Sequence, residues 1–234
     1  MDFRSFMSTD KEKFLNGEVI LINKDYKWTS FDVIKKIRNT IGIKKVGHAG
    51  TLDPLATGLL IVCTGKKTKE IQGFQNLPKE YTGQFCLGAT RPSHDKETEI
   101  NERFSIEGIT SEKIFNIANT FKGKIKQKPP SFSAIRKGGK RLYEFARQGE
   151  KVKTEPREVE IIDFEITELL LPMISFKLKC SKGFYVRSLA RDLGKALGCG
   201  AYLDSLERTA IGSYRVEDAL TVQDYIKTIV NEDI

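Results

Sequence analysis

Val-Gly-His-Ala-Gly-Thr-Leu-Asp-Pro-Leu-Ala-Thr-Gly, residues 46–58, is the stretch on which the interpretation of this sequence depends. It brings together three glycines, one of only two histidines in the chain, and the carboxylate of Asp53, followed directly by a proline. Glycine permits positive φ and close approach of a ligand, while Pro54 restricts Asp53 to an extended backbone. These residue types are consistent with a polar turn or with a loop that presents a reactive carboxylate.

The order of residues in this stretch favours the second interpretation. His-Ala-Gly-Thr-Leu-Asp-Pro-Leu-Ala-Thr-Gly-Leu-Leu, starting at His48, resembles the catalytic motif of the bacterial tRNA pseudouridine synthases of the TruB type, which modify uridine 55 in the TΨC loop. The similarity covers about residues 18 to 220 and continues, in order, at residues 79–88, 129–149, 180–187 and 198–210. Agreement at five places identifies the chain as a member of this family and implies an RNA-modifying isomerase.

The positive charge of the chain is concentrated in one segment. The 234 residues carry a formal net charge of +8, whereas residues 122–157 contain twelve Lys or Arg against three Glu, a net charge of +9. Phe132, Tyr143 and Phe145 are interleaved with these cations. A basic block with aromatic residues indicates a nucleic-acid partner more than a membrane, because no amphipathic membrane helix accompanies it. The alternative is an ordinary solvated surface.

Composition indicates a soluble globular protein, with 39% hydrophobic and 30% charged residues. Residues 1–17 have mixed charges and no apolar run, so they are expected to be a flexible tail of a cytoplasmic protein and not a signal or an anchor. The four cysteines are widely spaced and are expected to be reduced thiols. Two histidines are too few for a metal site with familiar spacing.

Hydrophobic periodicity predicts an α+β protein. Apolar runs and alternation predict strands at residues 18–23, 59–63, 81–87, 159–169 and 174–180, and helical spacing predicts helices at 30–41, 111–121, 142–148, 187–197 and 221–230. Residues 88–110 are expected to form a loop, and residues 201–216 have a mixed pattern. Because strands and helices do not alternate regularly, we predict a mixed, largely antiparallel sheet flanked by helices, with a basic RNA-facing insertion.

The expected organisation is one catalytic domain over residues 18–220, with the basic segment 122–157 inside it. Residues 221–234 are expected to add a short C-terminal helix, without the full PUA-type RNA-binding domain of longer family members. The resemblance implies the pseudouridine synthase catalytic fold.

The resemblance assigns three catalytic residues. Asp53 is the essential carboxylate, which either attacks ribose C1′ or supports a glycal-type route. Arg187 corresponds to the arginine that pairs with this aspartate and keeps it ionised. Tyr81 corresponds to the tyrosine on which the target base stacks and whose hydroxyl assists proton movement at C5. Without the family, Arg187 is an ordinary arginine at a helix start and Tyr81 is a core tyrosine.

Five further positions are implied to bind the substrate. His48 matches the histidine that stacks into the space left by the flipped uridine, and Tyr185 and Leu206 match residues that line the uracil pocket. Lys24 resembles a lysine near the motif loop that neutralises a phosphate. Arg136 stands where family members commonly have lysine, and it retains the charge.

The reaction that the resemblance implies needs no cofactor and no metal, because nothing is oxidised and no group is added. The implied partner is the TΨC stem-loop of tRNA, from which the target base must be flipped. We expect a monomer with no membrane association and no obligate protein partner. Where many members carry Thr-Asp-Thr-x-Asp, only Asp95 fits. Two alternatives stay open, a non-catalytic RNA-folding chaperone and a synthase acting on another uridine.

Overall fold

Strands and helices are mixed along the chain, which gives the predicted α+β class. The computed structural model describes residues 11–133, 135–150, 152 and 154–231. The strands are β1 (Val19–Lys24), β2 (Val46–His48), β3 (Thr57–Thr64), β4 (Lys79–Leu87), β5 (Ala89–Thr90), β6 (Glu102–Arg103), β7 (Gly123–Gln127), β8 (Arg136–Lys137), β9 (Lys140–Arg141), β10 (Arg157–Leu170), β11 (Met173–Cys180), β12 (Ala201–Ile211), β13 (Tyr214–Arg215) and β14 (Leu220–Thr221). After residue 17 the α-helices are α1 (Ser30–Ile41), α2 (Ile71–Asn76), α3 (Ser111–Thr120), α4 (Leu142–Arg147), α5 (Val186–Leu197) and α6 (Val222–Asn231).

The chain divides into two compact units. The first comprises the described parts of Met1–Tyr81 and Glu207–Ile234, and the second comprises those of Thr82–Leu206. In the first unit the strand order is β14-β1-β3-β12, and β2 also pairs with β3. The β1–β3 and β2–β3 pairs are antiparallel, whereas β12 and β14 add parallel pairs. Apart from its first residue β3 is buried, as is usual for a strand with neighbours on both sides.

Helix α1 covers one face of this first unit. It begins after Thr29, whose side chain and that of Asp32 form a reciprocal capping box, and it ends at Gly42 with φ of 64°. Its buried side chains Val33 and Ile37 pack in a core with the apolar residues of β1 and β3. Ser30 is the first residue of the helix and does not cap it, because the Ser30 hydroxyl is hydrogen-bonded to the backbone of Leu52.

In the second unit the strand order is β12-β4-β11-β10-β7. The β10–β11 and β10–β7 pairs are antiparallel, so the largely antiparallel sheet is confirmed. Strand β11 buries four alternating side chains, as the alternation at residues 174–180 predicts, namely Ile174, Phe176, Leu178 and Cys180. Phe176 stacks on Phe85 of β4 with ring centroids 4.2 Å apart. Helix α5 buries Leu189, Leu193 and Leu197 and ends at Gly198 with φ of 81°.

Several stretches differ from the sequence prediction. Residues 88–110 contain the short paired strands β5 and β6 and are not wholly a loop. Residues 201–211 form the long strand β12, and β7 was not predicted. Residues 11–16 are helical and bury Phe14, unlike the flexible tail expected there, while residues 1–10 lie outside the described residues. None of the helices in the described ranges has the length and continuous apolar character needed to span a bilayer.

Candidate active site

The loop between β2 and β3 carries Asp53. The Ala56 amide donates to the Asp53 carbonyl oxygen at 3.1 Å and so closes a tight turn around the carboxylate. Asp53 is half-buried. Gly58, the second residue of β3, has φ of 99°, and a Cβ there would collide with the backbone of Arg208. The absence of a side chain at Gly58 therefore permits the close packing of β3 against the backbone of Arg208.

The side chain of Arg208 is hydrogen-bonded to the backbone on both sides of Asp53. Its side chain is 1% exposed. Nε donates to the Leu59 carbonyl oxygen at 2.7 Å, and Nη2 donates to the Gly50 carbonyl oxygen at 3.1 Å. These charge-assisted bonds join the residues on either side of Asp53, and the planar guanidinium fixes their separation.

Ser30 fastens the middle of the loop. Its Oγ accepts from the Leu52 amide at 2.9 Å and donates to the Leu52 carbonyl oxygen at 3.3 Å. Both residues are buried. Because Leu52 immediately precedes Asp53, these two bonds restrict the backbone from which the carboxylate projects.

Lys24 lies under the same loop and is fully buried. Its ammonium donates to the carbonyl oxygens of Asp25 at 3.0 Å, Trp28 at 2.6 Å and Pro54 at 3.4 Å. Burial lowers the pKa of Lys24 from its usual 10.5 to about 8, with the nearby Asp53 carboxylate opposing that shift. This position favours a role in holding the loop, and the predicted phosphate contact stays a prediction.

His48 and Tyr81 belong to the same unit as Asp53. His48 ends β2 opposite Val62 and is half-buried. Burial, and then the charge of Arg208, lower the pKa of His48 below its usual value, so the ring is neutral at pH 7. A neutral ring suits stacking on a base. Tyr81 lies on β4 and is half-buried, so it is not the fully buried core residue that its strand position alone would suggest.

The second unit contains Arg187 in a buried ion pair. Arg187 and Asp95 have side chains that are 4% and 7% exposed, and Arg187 Nε lies 3.5 Å from Asp95 Oδ2. Arg187 Nη1 donates to the Ser93 carbonyl oxygen at 3.3 Å, and Nη2 donates to the Phe132 carbonyl oxygen at 2.9 Å. The guanidinium is therefore tied to two separate segments, and its orientation is fixed.

The loop that supplies Asp95 is itself tightly bonded. Ser93 is fully buried, its amide donates to Thr98 Oγ1 at 3.1 Å, and its hydroxyl donates to the Asp95 carbonyl oxygen at 3.0 Å. His94 adopts positive φ of 63° between them. Burial, followed by the charges of the neighbouring arginines, lowers the pKa of His94 to about 4, so it is neutral at physiological pH.

The remaining predicted residues of this unit occupy different environments. Tyr185 is half-buried and is the N-cap of α5, two residues before Arg187. Leu206 is half-buried on β12, where its Cα would lie 3.3 Å from a Cβ built on Gly83. Arg136 is exposed on β8 and lines a cavity of about 220 Å³ in the basic segment, which suits contact with a polyanion.

Several residues that build the site were not singled out from the sequence. Arg208 and Ser30 look like ordinary polar residues of a strand and a helix start, and only their burial and long-range bonds reveal their role. From the sequence, Asp95 was identified only as the one residue that fits the Thr-Asp-Thr-x-Asp pattern of the family. The structure shows that it forms an ion pair with Arg187. The mixed pattern of residues 201–216 carried no local signal that distinguishes Arg208 from Asp204 and Glu207 of the same strand.

Family models and known proteins that match this chain belong to the family that the motif at residues 46–58 resembles. Residues 38–186 match the model of the TruB family pseudouridylate synthase N-terminal domain, and residues 187–233 match the tRNA pseudouridylate synthase B C-terminal domain. The chain is 51% identical to the tRNA pseudouridine synthase B of Flavobacterium johnsoniae, covering 90% of this chain and 95% of that protein. It is 50% identical to that of Chloroherpeton thalassium, covering 92% and 91% respectively.

Solved structures show the same fold. A chain from a crystal structure of a Cbf5-Nop10-Gar1 complex matches with a TM-score of 0.71 and 27% identity, covering 93% of this chain. A chain from a structure of an H/ACA RNP bound to a substrate RNA containing 2′-deoxyuridine matches with a TM-score of 0.71 and 25% identity, covering 95% of this chain. This chain spans 56% and 57% of the length of those two proteins.

Proposed function

The chain belongs to the TruB family of pseudouridylate synthases, and from this membership we propose that it converts uridine 55 in the TΨC loop of tRNA to pseudouridine. The observation that carries the proposal is the motif loop. Asp53 is presented by a backbone that Arg208, Ser30 and Lys24 hold from buried positions, in a sequence that resembles the family's catalytic motif. Several buried polar side chains that all bond to one loop are typical of a site that must position a reactive group.

The reaction moves the ribose from one atom of uracil to another. The C1′–N1 bond breaks, the base turns within the pocket, and a C1′–C5 bond forms. The C5 hydrogen then leaves to solvent and N1 acquires a proton, so no oxidant, cofactor or metal enters the balance. Asp53 either attacks C1′ or stabilises positive charge that develops at the ribose on a glycal route.

Arg187 and Tyr81 complete the proposed chemistry. As the family resemblance implies, we assign Arg187 to orient the catalytic carboxylate, and we assign Asp95 to orient the guanidinium of Arg187. Tyr81 stacks on the target base, and its hydroxyl assists removal of the C5 proton. Tyr185 and Leu206 line the pocket that retains the detached uracil, which must not diffuse away before it rejoins C1′.

The uridine must leave its stack before it can react. Extrusion from the folded loop costs a few kcal/mol, which base stacking and backbone contacts offset. We assign His48 to the vacated space, where its neutral ring can stack. Lys24 stabilises the motif loop, and any contact it makes with a phosphate would require that loop to open.

Affinity for tRNA is assigned to the basic segment 122–157. Lys124, Lys126 and Lys128 are exposed along β7 and its end, and Arg136 is exposed on β8. Contacts between these side chains and phosphates give affinity that falls as salt rises, and they orient the RNA without reading its sequence. We further propose that the protein acts on tRNA in the cytoplasm as a monomer without an obligate protein partner.

The test is tritium release by the isolated protein from unmodified tRNA labelled with 5-³H-uridine. We expect release of about one equivalent, because isomerisation at one position exchanges one C5 hydrogen. A matched tRNA with cytidine at position 55 is expected to give none. Release from both RNAs would show that the protein modifies a uridine other than uridine 55. Release from neither would contradict a synthase that acts alone.

A further inference from the structure

Gln127, the last residue of β7, connects the start of the basic segment with the turn that precedes Arg187. Its side chain is 2% exposed. The carboxamide oxygen accepts from the Tyr185 amide at 2.9 Å, and the carboxamide nitrogen donates to the Tyr185 carbonyl oxygen at 3.1 Å. One side chain thus binds both polar backbone groups of a single residue, in the manner of a strand neighbour.

Tyr185 stands at the start of α5. It is the N-cap residue, its backbone is extended with φ of −114° and ψ of 109°, and it makes no side-chain capping bond. Its carbonyl oxygen also accepts from the amides of Ser188 and Leu189, which begin the helical pattern. The position of the Tyr185 backbone therefore sets where α5 begins, and Arg187 is the second residue of that helix.

Two more bonds join the first turn of α5 to the same segment. Ser188 Oγ donates to the Lys128 carbonyl oxygen at 2.9 Å, and Arg187 Nη2 donates to the Phe132 carbonyl oxygen at 2.9 Å. Residues 127–132 are thus attached to the start of α5 at three points. The chain continues from these attachments directly into the exposed cations of the basic segment.

We propose that Gln127 is a positioning residue for pseudouridine formation, which places Arg187 through the Tyr185 backbone and links that arginine to the segment that meets the RNA. This inference rests on the proposed function, because the role of Arg187 belongs to it. Gln127 acts on the rate of the chemical step, and its buried side chain adds little to RNA affinity. A displacement of the arginine by a fraction of an ångström is enough to slow a reaction that depends on orientation.

The experiment compares Gln127→Met and Gln127→Glu with the parent. Methionine fills the same volume without hydrogen bonds, and glutamate keeps the shape but sets a carboxylate oxygen against the Tyr185 carbonyl oxygen. We expect single-turnover tritium release to fall about tenfold or more in both, with the Kd for tRNA changed less than about twofold. Gln223→Met and Gln223→Glu, at an exposed position of helix α6, serve as controls and are expected to behave as the parent.

Amide hydrogen exchange identifies the cause of the slower rate. In the Gln127 variants, peptides covering residues 183–191 are expected to exchange faster, while those covering 157–170 of β10 keep their protection. A parental rate in both variants, or a slower rate with unchanged exchange at residues 183–191, would overturn the proposal. So would a loss explained wholly by weaker tRNA binding. If the parent itself releases no tritium, the proposed function fails first, and the two failures are therefore distinguishable.

Ser188→Ala provides a milder change at the same junction if the buried Gln127 variants give too little folded protein. It removes only the bond to the Lys128 carbonyl oxygen. We expect a rate about threefold lower with unchanged Kd, because the attachment at Lys128 is weakened to the single bond from Arg191 Nη2 at 3.2 Å. A rate equal to the parent's would overturn the role of this junction in placing Arg187.

Discussion

The guanidinium of Arg187 and the carboxylate of Asp95 form an ion pair in which neither side chain is more than 7% exposed. A pair buried to this extent contributes little net stability by comparison with apolar residues, but loss of one partner leaves an uncompensated charge. We interpret the pair as a device that fixes the orientation of Arg187.

Asp95→Asn is therefore expected to harm both folding and turnover. We expect the free energy of unfolding to fall by roughly 3 kcal/mol and single-turnover tritium release to fall by about tenfold or more. Asp204→Asn is the matched control, since it breaks the exposed Lys96–Asp204 pair and is expected to cost less than about 1 kcal/mol. Equal effects of the two changes, measured by urea unfolding and tritium release, would contradict the role given to Asp95.

A similar prediction concerns Arg208, which is hydrogen-bonded to the loop that carries Asp53. Arg208→Lys keeps the charge but cannot bridge the carbonyl oxygens of Leu59 and Gly50 as a planar fork does. We expect a rate of tritium release at least about tenfold lower, with tRNA affinity retained within about twofold. The exposed Arg215→Lys change, near the same strand, is expected to leave the rate unchanged. A parental rate for Arg208→Lys would show that the loop holds its shape without the fork.

The sequence predicted the class of the fold and the motif loop, because both depend on local patterns. Alternation in β11 predicted its buried face correctly. Local patterns could not predict β12, because Asp204, Glu207 and the buried Arg208 interrupt its apolar residues. The charge of Arg208 is acceptable there only because carbonyl oxygens from distant parts of the chain receive it, and such partners are invisible in a local window.

The same limit applies to Lys24 and the N-terminal segment. From the sequence, a lysine at the end of a strand is expected to be exposed. Lys24 is instead fully buried, and its ammonium donates to three backbone carbonyl oxygens. Residues 11–16 lack a continuous apolar run, but the one side chain of Phe14 is buried in the core of the first unit. Single long-range contacts decide both cases.

Lys24 gives the stability of the protein a pH dependence. The pKa of Lys24 is lowered to about 8 in the folded state, so between about pH 8 and the unfolded value of 10.5 the unfolded state binds more protons and stability rises with pH. The cost of burying the charge is fully present below pH 8. Relative to Lys24→Met, the parent is expected to gain up to about 3 kcal/mol between pH 7 and pH 10.5.

Urea unfolding of the parent and Lys24→Met at these two pH values measures this effect. Lys35→Met, which removes an exposed lysine of α1, is the control and should show little change with pH relative to the parent. A pH-independent difference between the parent and Lys24→Met would contradict the lowered pKa.

The basic segment is expected to determine how tRNA binding depends on salt. Replacement of Lys124, Lys126 and Lys128 with glutamate should weaken binding and reduce the slope of log Kd against log salt concentration by about 2, given three lost phosphate contacts. The same replacements at Lys35, Lys36 and Lys69, exposed lysines of the first unit, should leave the slope nearly unchanged. Equal slopes for the two triple variants, from titrations across a salt series, would remove residues 124–128 from the RNA interface.

Asp53→Asn tests the central claim most directly, because it keeps the shape of the side chain and removes only the charge. Tritium release from 5-³H-uridine tRNA should be abolished in this variant, while the parent releases about one equivalent and both bind tRNA with similar Kd. Release by Asp53→Asn at the parental rate would contradict the account. So would a parent that binds tRNA and releases nothing, which is the result expected of an RNA-folding chaperone.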